Sequence, residues 1–226
     1  MAQHFTHLLD DLRARVARMT SKVQRVVEEA TEALVRPDVA LAQHAIESDK
    51  DVDHDEVEVE KSAIHLLALY QPAAADLRFI TSVIKVNNDF ERIADCAVNV
   101  AQRVPSLARQ RDLVIPKNLI AMSDSVIETL RSTINAFNLS NVEMAKDVIR
   151  SDDKNDAFYH QIVQDALTSL GEHPQNDLVR RDASRELAVI MIAKNYERIG
   201  DHCTNIAEDI LYISSGQIVR HLHSVQ

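Results

Sequence analysis

The amino-acid sequence predicts an all-α protein made of two tandem antiparallel three-helix bundles. Three observations carry that prediction. Helix breakers are scarce, apolar residues recur at helical spacing over long runs, and the second half of the chain repeats the first. The 226 residues contain three glycines, five prolines and no tryptophan. Sandwiches and barrels need a turn every 8–12 residues or so, with many aromatic positions. A Rossmann or P-loop fold needs clustered glycines to cradle phosphate. Neither supply exists here, which leaves long helices with few interruptions.

The breakers divide the chain in order. A first helix runs from about His4 to Val35 and ends at Pro37; Val23, Val27, Ala30 and Leu34 hold one of its faces. A second runs from Asp38 to Tyr70-Gln71-Pro72, and a third from Ala75 to Arg103, before Pro105. The stretch 105–116 is the longest gap and the expected linker, so residues 1–108 and 109–226 are read as the two bundles. After Pro116 the pattern restarts. Leu139-Ser140-Asn141 joins the fourth helix to the fifth, Gly171-Glu172-His173-Pro174 joins the fifth to the sixth, and Gly216 is placed just past the last.

The repeat is read from two matches. Ala45-Ile46-Glu47-Ser48-Asp49…Asp53 aligns with Val148-Ile149-Arg150-Ser151-Asp152…Asp156 at an offset of 103. Phe90-Glu91-Arg92-Ile93-Ala94-Asp95…Asn99 aligns with Tyr196-Glu197-Arg198-Ile199-Gly200-Asp201…Asn205 at an offset of 106. One three-residue insertion reconciles the two. Val23, Val27 and Leu34 then fall on Val126, Leu130 and Phe137, so the duplication spans all three helices.

The net charge of −10 divides equally between the halves. An evenly acidic chain lacks the basic face that nucleic-acid phosphates require. The N-terminus has no signal-peptide core, and the longest apolar runs, such as Leu187–Ala193, are too short to span a bilayer. A cytoplasmic protein without membrane insertion is expected, with Cys96 and Cys203 as reduced, small, half-buried residues.

The repeated positions also carry the chemistry. On a helical wheel Glu91, Asp95 and Asn99 advance by about 40° per step, forming one row of oxygen donors at the edge of the apolar stripe. Glu197, Asp201, Asn205 and Glu208 make the same row in the second copy. Asp49, Asp53, Glu56 and Glu60 form a second carboxylate row on the preceding helix. Asp152 and Asp156 keep half of that row, while Tyr159 and Val163 replace the rest. Like charges one turn apart repel, and packing gives a helix no reason to repeat Glu, Arg, Asp and Asn together. If the rows face each other, their oxygens suit hard or borderline cations such as Mg²⁺, Mn²⁺, Ca²⁺ or iron. Arg92 and Arg198 are expected to point away from the rows, into structural ion pairs. Gly200, the single glycine inside a helix, is expected to let a neighbouring helix or a metal site approach.

Other readings fit less well. Residues 49–60 have EF-hand spacing, but His54 stands where the loop needs glycine. No Glu-x-x-His occurs, as a ferritin-like di-iron bundle would require. His202 could join the second row as an extra ligand; His54 and His160 read as surface residues. No nucleophile stands beside a base, so no catalytic residues are assigned.

The segments Gln71-Pro72-Ala73-Ala74-Ala75-Asp76-Leu77-Arg78, Asp89–Asp95 and Asn195–His202, with a tail carrying Gly216 and Val219-Arg220-His221, resemble the PhoU family over roughly residues 10–222. That resemblance implies a non-enzymatic regulator of phosphate homeostasis, which restrains high-affinity phosphate uptake and keeps phosphate-starvation signalling silent. It implies metal ions, of Fe, Mn, Mg or Zn, often in multinuclear clusters. Carried over by motif, the ligands are Asp49, Asp53, Glu91 and Asp95 in the first copy and Asp152, Asp156, Glu197 and Asp201 in the second, with Asn99 and Asn205 as additional candidates. The implied partners are a phosphate transporter's ATPase subunit and a membrane sensor histidine kinase; a homodimer is also expected. A carboxylate-bridged metalloenzyme and a purely structural helical dimer stand as alternatives.

Overall fold

The computed structural model describes residues 2–110, 114–171 and 177–217. Residues 111–113 of the linker, Glu172, His173 and Pro174 of the expected loop, and the tail residues Val219, Arg220 and His221 lie outside them. The helices are α1 (Ala2–Val35), α2 (Val39–Tyr70), α3 (Ala74–Ala101), α4 (Val104–Ala108), α5 (Lys117–Leu139), α6 (Val142–Gly171) and α7 (Asp177–Ser215). No strand occurs among the described residues.

The boundaries follow from local chemistry. Asp38 caps α2 rather than opening it: its backbone is extended, and its Oδ1 accepts from the amides of Ala40 and Leu41 at 2.9 and 3.0 Å. At the other end Gln71 turns left-handed with φ 46°, and Pro72 prevents continuation. Ser140 closes α5 in the same way, and the Asn141 side chain then caps α6 by accepting from Glu143 and Met144. Gly216 follows α7 with φ 71° and donates back to the Tyr212 carbonyl at 2.8 Å, as expected of a glycine past a helix end. The short α4 corrects the linker reading. Pro105 follows the end of α3 as expected, but it also lies in the first turn of α4, where a missing amide hydrogen costs nothing, so a short helix stands inside the expected gap.

Helices α1, α2 and α3 pack on one another, as do α5, α6 and α7, giving two three-helix bundles. The bundles meet through α3 on α7 and α1 on α5. Helices α3 and α7 run antiparallel along the seam: Arg78 Nε donates to the Ile213 carbonyl, Lys85 Nζ lies 3.4 Å from Asp209, and Asp89 lies 2.8 Å from His202. The expected apolar faces are buried, including Val23, Val27, Ala30 and Leu34 with their partners Val126, Leu130 and Phe137. These residues join one continuous core that includes both bundles. Tyr196, fully buried, shares a 2.9 Å hydrogen bond with Thr31 across the seam.

Candidate metal centres

Each bundle has a groove between its outer helix, α2 or α6, and its seam helix, α3 or α7. The carboxylate rows line these grooves. In the first, burial pushes the Asp49 carboxyl up to about 6, and the charges of Asp53, Asp95 and Glu91 add to the effect. Those partners lie on both helices, so the α2 and α3 rows do face each other. Glu91 is likewise raised, by burial and then by Asp95, with Arg92 opposing and Asp53 and Glu56 contributing. Burial, Glu60 and Asp53 also raise Glu56.

In the second groove one oxygen each from Asp156, Glu197 and Asp201 lies within 4.8 Å of the others. Two oxygens bound to one cation at roughly 2.0–2.6 Å each stand no more than about 5 Å apart, so this spacing fits a shared ion. Burial among its neighbours pushes Asp201 up to about 6 although the residue as a whole is exposed; Glu197 and Asp152 reinforce this, Lys194 opposes it, and Asp156 adds to it. Asp152 therefore sits within reach of the same group. Asn99 is half-buried and Asn205 exposed, each one turn beyond the aspartate of its row.

The rows hold protein cations at their rims. Arg92 does not point away: its guanidinium lies 3.4 Å from Glu91 and 3.3 Å from Asp95. An arginine is long enough to fold back over the next turn, and two carboxylates attract it there. In the second groove Lys194 takes this part, pairing with Glu197 and sitting 5.2 Å over the Tyr159 ring. The Arg92–Asp95 pair is solvent-facing and so costs little to displace, whereas the Glu197 carboxylate under Lys194 is largely buried.

Residues 49–60 are helical throughout, which removes the EF-hand reading. His202 turns its Nδ1 to Asp89 rather than to the acidic row. Cys96 and Cys203 are fully rather than half buried, and burial pushes their thiols up to about 11 and about 12. Two buried amides escaped the sequence reading. Asn87 donates to the Glu56 carbonyl at 2.9 Å, with Glu56 Oε1 at 3.4 Å. Asn155, between Asp152 and Asp156, packs against Gly200, where a methyl group would lie 3.0 Å from its Nδ2. The expected close approach at Gly200 is thus made by a side chain of α6. The signal for Asn155 lay in the repeat, where its aligned residue is the apolar Val52.

These features define a class: an all-helical tandem repeat with a carboxylate-lined groove in each bundle. The family model described as the PhoU domain matches the chain twice, over residues 16–104 and 119–210. The chain belongs to the PhoU family. It is 37% identical over 215 residues to a phosphate-specific transport system accessory protein PhoU homolog of Aquifex aeolicus, with 95% of each chain covered. A Pseudomonas putida protein of the same description is 32% identical over 225 residues, covering 98% of this chain and 85% of the relative. The crystal structure of PhoU from Pseudomonas aeruginosa superimposes with a TM-score of 0.87 at 31% identity, covering 94% of this chain and 100% of that one.

Proposed function

We propose that this protein is a non-catalytic cytoplasmic regulator of phosphate transport that restrains high-affinity uptake and phosphate-starvation signalling, and that its two grooves bind metal ions. Family membership supports the first part, since the Aquifex aeolicus relative is named as an accessory protein of a phosphate-specific transport system. The observation that carries the second is the convergence of Asp156, Glu197 and Asp201 within 4.8 Å. Raised carboxyls at Asp49 and Asp201 support it, because carboxyls shielded from water first, and then crowded by other carboxylates, are what a cation relieves. Asp49, Asp53, Glu91 and Asp95 would hold ions in the first centre, and Asp152, Asp156, Glu197 and Asp201 in the second, with Asn99 and Asn205 as further donors. A bound ion supplies positive charge that fixes each groove; the chain's own residues supply the docking surface for a transporter ATPase subunit and a sensor kinase. The reading takes residues 1–108 and 109–226 as its two units.

Catalysis is the weaker reading. A cleft of about 310 Å³ between α1 and α2 is lined by Leu8, Leu12, Arg15, Lys61, His65 and Leu66, away from both acidic centres. No described helix is long and apolar enough to cross a membrane, so contact with a membrane-bound partner would be made from its surface. Deleting the gene and growing the source organism in high phosphate tests the regulatory role. Alkaline phosphatase and transporter expression should rise, and continued repression would sink the proposal. Elemental analysis of the wild type against Asp95→Ala/Asp201→Ala tests the metal role, and equal metal content would refute it.

A further inference from the structure

The two centres share one repeat, yet they differ at three aligned positions on the core side of the rows. The first copy has Val52 on α2, with Ala94 and Val98 on α3. The second has Asn155, Gly200 and Thr204. Asn155 is 1% exposed, and neither Nδ2 nor Oδ1 has a hydrogen-bond partner. Thr204 Oγ1, one turn beyond Gly200, is also buried without one. On the helical wheel Thr204 falls about 20° from Glu197, so it shares the face that carries the carboxylates. The first centre buries an amide too, but Asn87 Nδ2 already donates to the Glu56 carbonyl, and its Oδ1 alone lacks a partner.

A buried amide with no partner opposes folding, and a glycine inside a helix weakens it. Together they make one device: the glycine clears space that the amide enters, and Asn155 and Gly200 each stand next in sequence to an aspartate of the cluster, Asp156 and Asp201. We infer that Asn155, assisted by Thr204, belongs to the binding set of the second centre and finds its polar partner in a divalent cation held by Asp156, Glu197 and Asp201, or in that cation's water. This rests on the metal reading above. It also makes the centres unlike in kind. The first keeps Glu56 and Glu60 where the second has Tyr159 and Val163, so the second replaces outer carboxylates with neutral donors underneath.

The test uses the full chain, stripped of metal, with the first centre disabled by Glu91→Gln and Asp95→Asn. Mn²⁺ is titrated in and the free ion is followed by electron paramagnetic resonance. Asn155→Val/Gly200→Ala installs the pair that the first copy already packs, and Asn155→Ala removes the amide without adding volume. The expected result is a Kd weakened roughly 10- to 100-fold, with a metal-free Tm equal to or above the parent's. An unchanged Kd in either folded variant overturns the inference and leaves Asn155 a structural residue. If the double variant does not fold, Asn155→Ala decides. A parent that takes up no Mn²⁺, and that Asp201→Asn leaves unaltered, refutes the metal reading itself and this inference with it.

Discussion

Replacing Asp49 by asparagine should stabilise the metal-free protein while weakening its hold on metal. The Asp49 carboxyl is moved from 3.8 to about 6, by burial first and then by Asp53, Asp95 and Glu91. At about 1.36 kcal/mol per tenfold change in ionisation, keeping it charged at pH 8 costs at most about 3 kcal/mol. The side chain is half-buried, and solvent screening reduces this to about 1.5 kcal/mol. For a chain of this length, that is a Tm gain of about 3–6 °C. The sign follows from proton binding. The folded state holds the proton more tightly than the unfolded one, so the contribution is complete below 3.8 and is lost as pH rises through about 6. The advantage of Asp49→Asn should therefore be largest at pH 8 and shrink by about half at pH 5. The assay is thermal unfolding by circular dichroism in chelator at both pH values, then at pH 8 with saturating Mn²⁺, where the wild type should become the more stable. A variant no more stable than the wild type at pH 8, or a gain equally large at pH 5, would refute the reasoning.

Three further outcomes are expected. Tyr196→Phe strands the buried Thr31 hydroxyl across the seam and should cost about 1–2 kcal/mol, read from urea unfolding. Gly200→Ala drives a methyl group to 3.0 Å from the Asn155 amide and should destabilise by about 1–2 kcal/mol; adding Asn155→Val should recover all of that or more in a double-mutant cycle. Asp38→Ala removes the acceptor for the first amides of α2 and should lower stability by about 1 kcal/mol, whereas Asp38→Asn should lose little.

The helices were legible because their ends are written in residue chemistry: Pro37, Pro72, Pro116 and Gly216 all fall at or beside a boundary. Pro105 follows the end of α3 as its sequence position implies, but α4 is not legible there, because a proline in a first helical turn and a proline after a last one look the same in a sequence. The acidic rows were legible too, since a four-residue spacing fixes a helix face whatever the tertiary structure. That the rows face each other depends on how α2 sits on α3 and α6 on α7, which spacing does not encode. Arg92 went astray because its long side chain can turn either way, and the neighbouring charges decide. His202 was ambiguous because its partner, Asp89, lies 113 residues earlier in the chain. Asn155, next to Asp156, reads in the sequence as one more surface polar residue, and only the packing of α6 on α7 buries it.

The duplication has a consequence for recognition. In a symmetric dimer of single bundles every residue occurs twice, and a change in one groove is imposed on the other. Joining both copies in one chain lifts that constraint. Asn155 and Gly200 can exist without counterparts at Val52 and Ala94, and Glu56 and Glu60 without counterparts at Tyr159 and Val163. A partner that touched both grooves would meet two chemically different sites rather than one site twice. A chain built from two nearly equal halves can in this way carry two unlike sites on one scaffold.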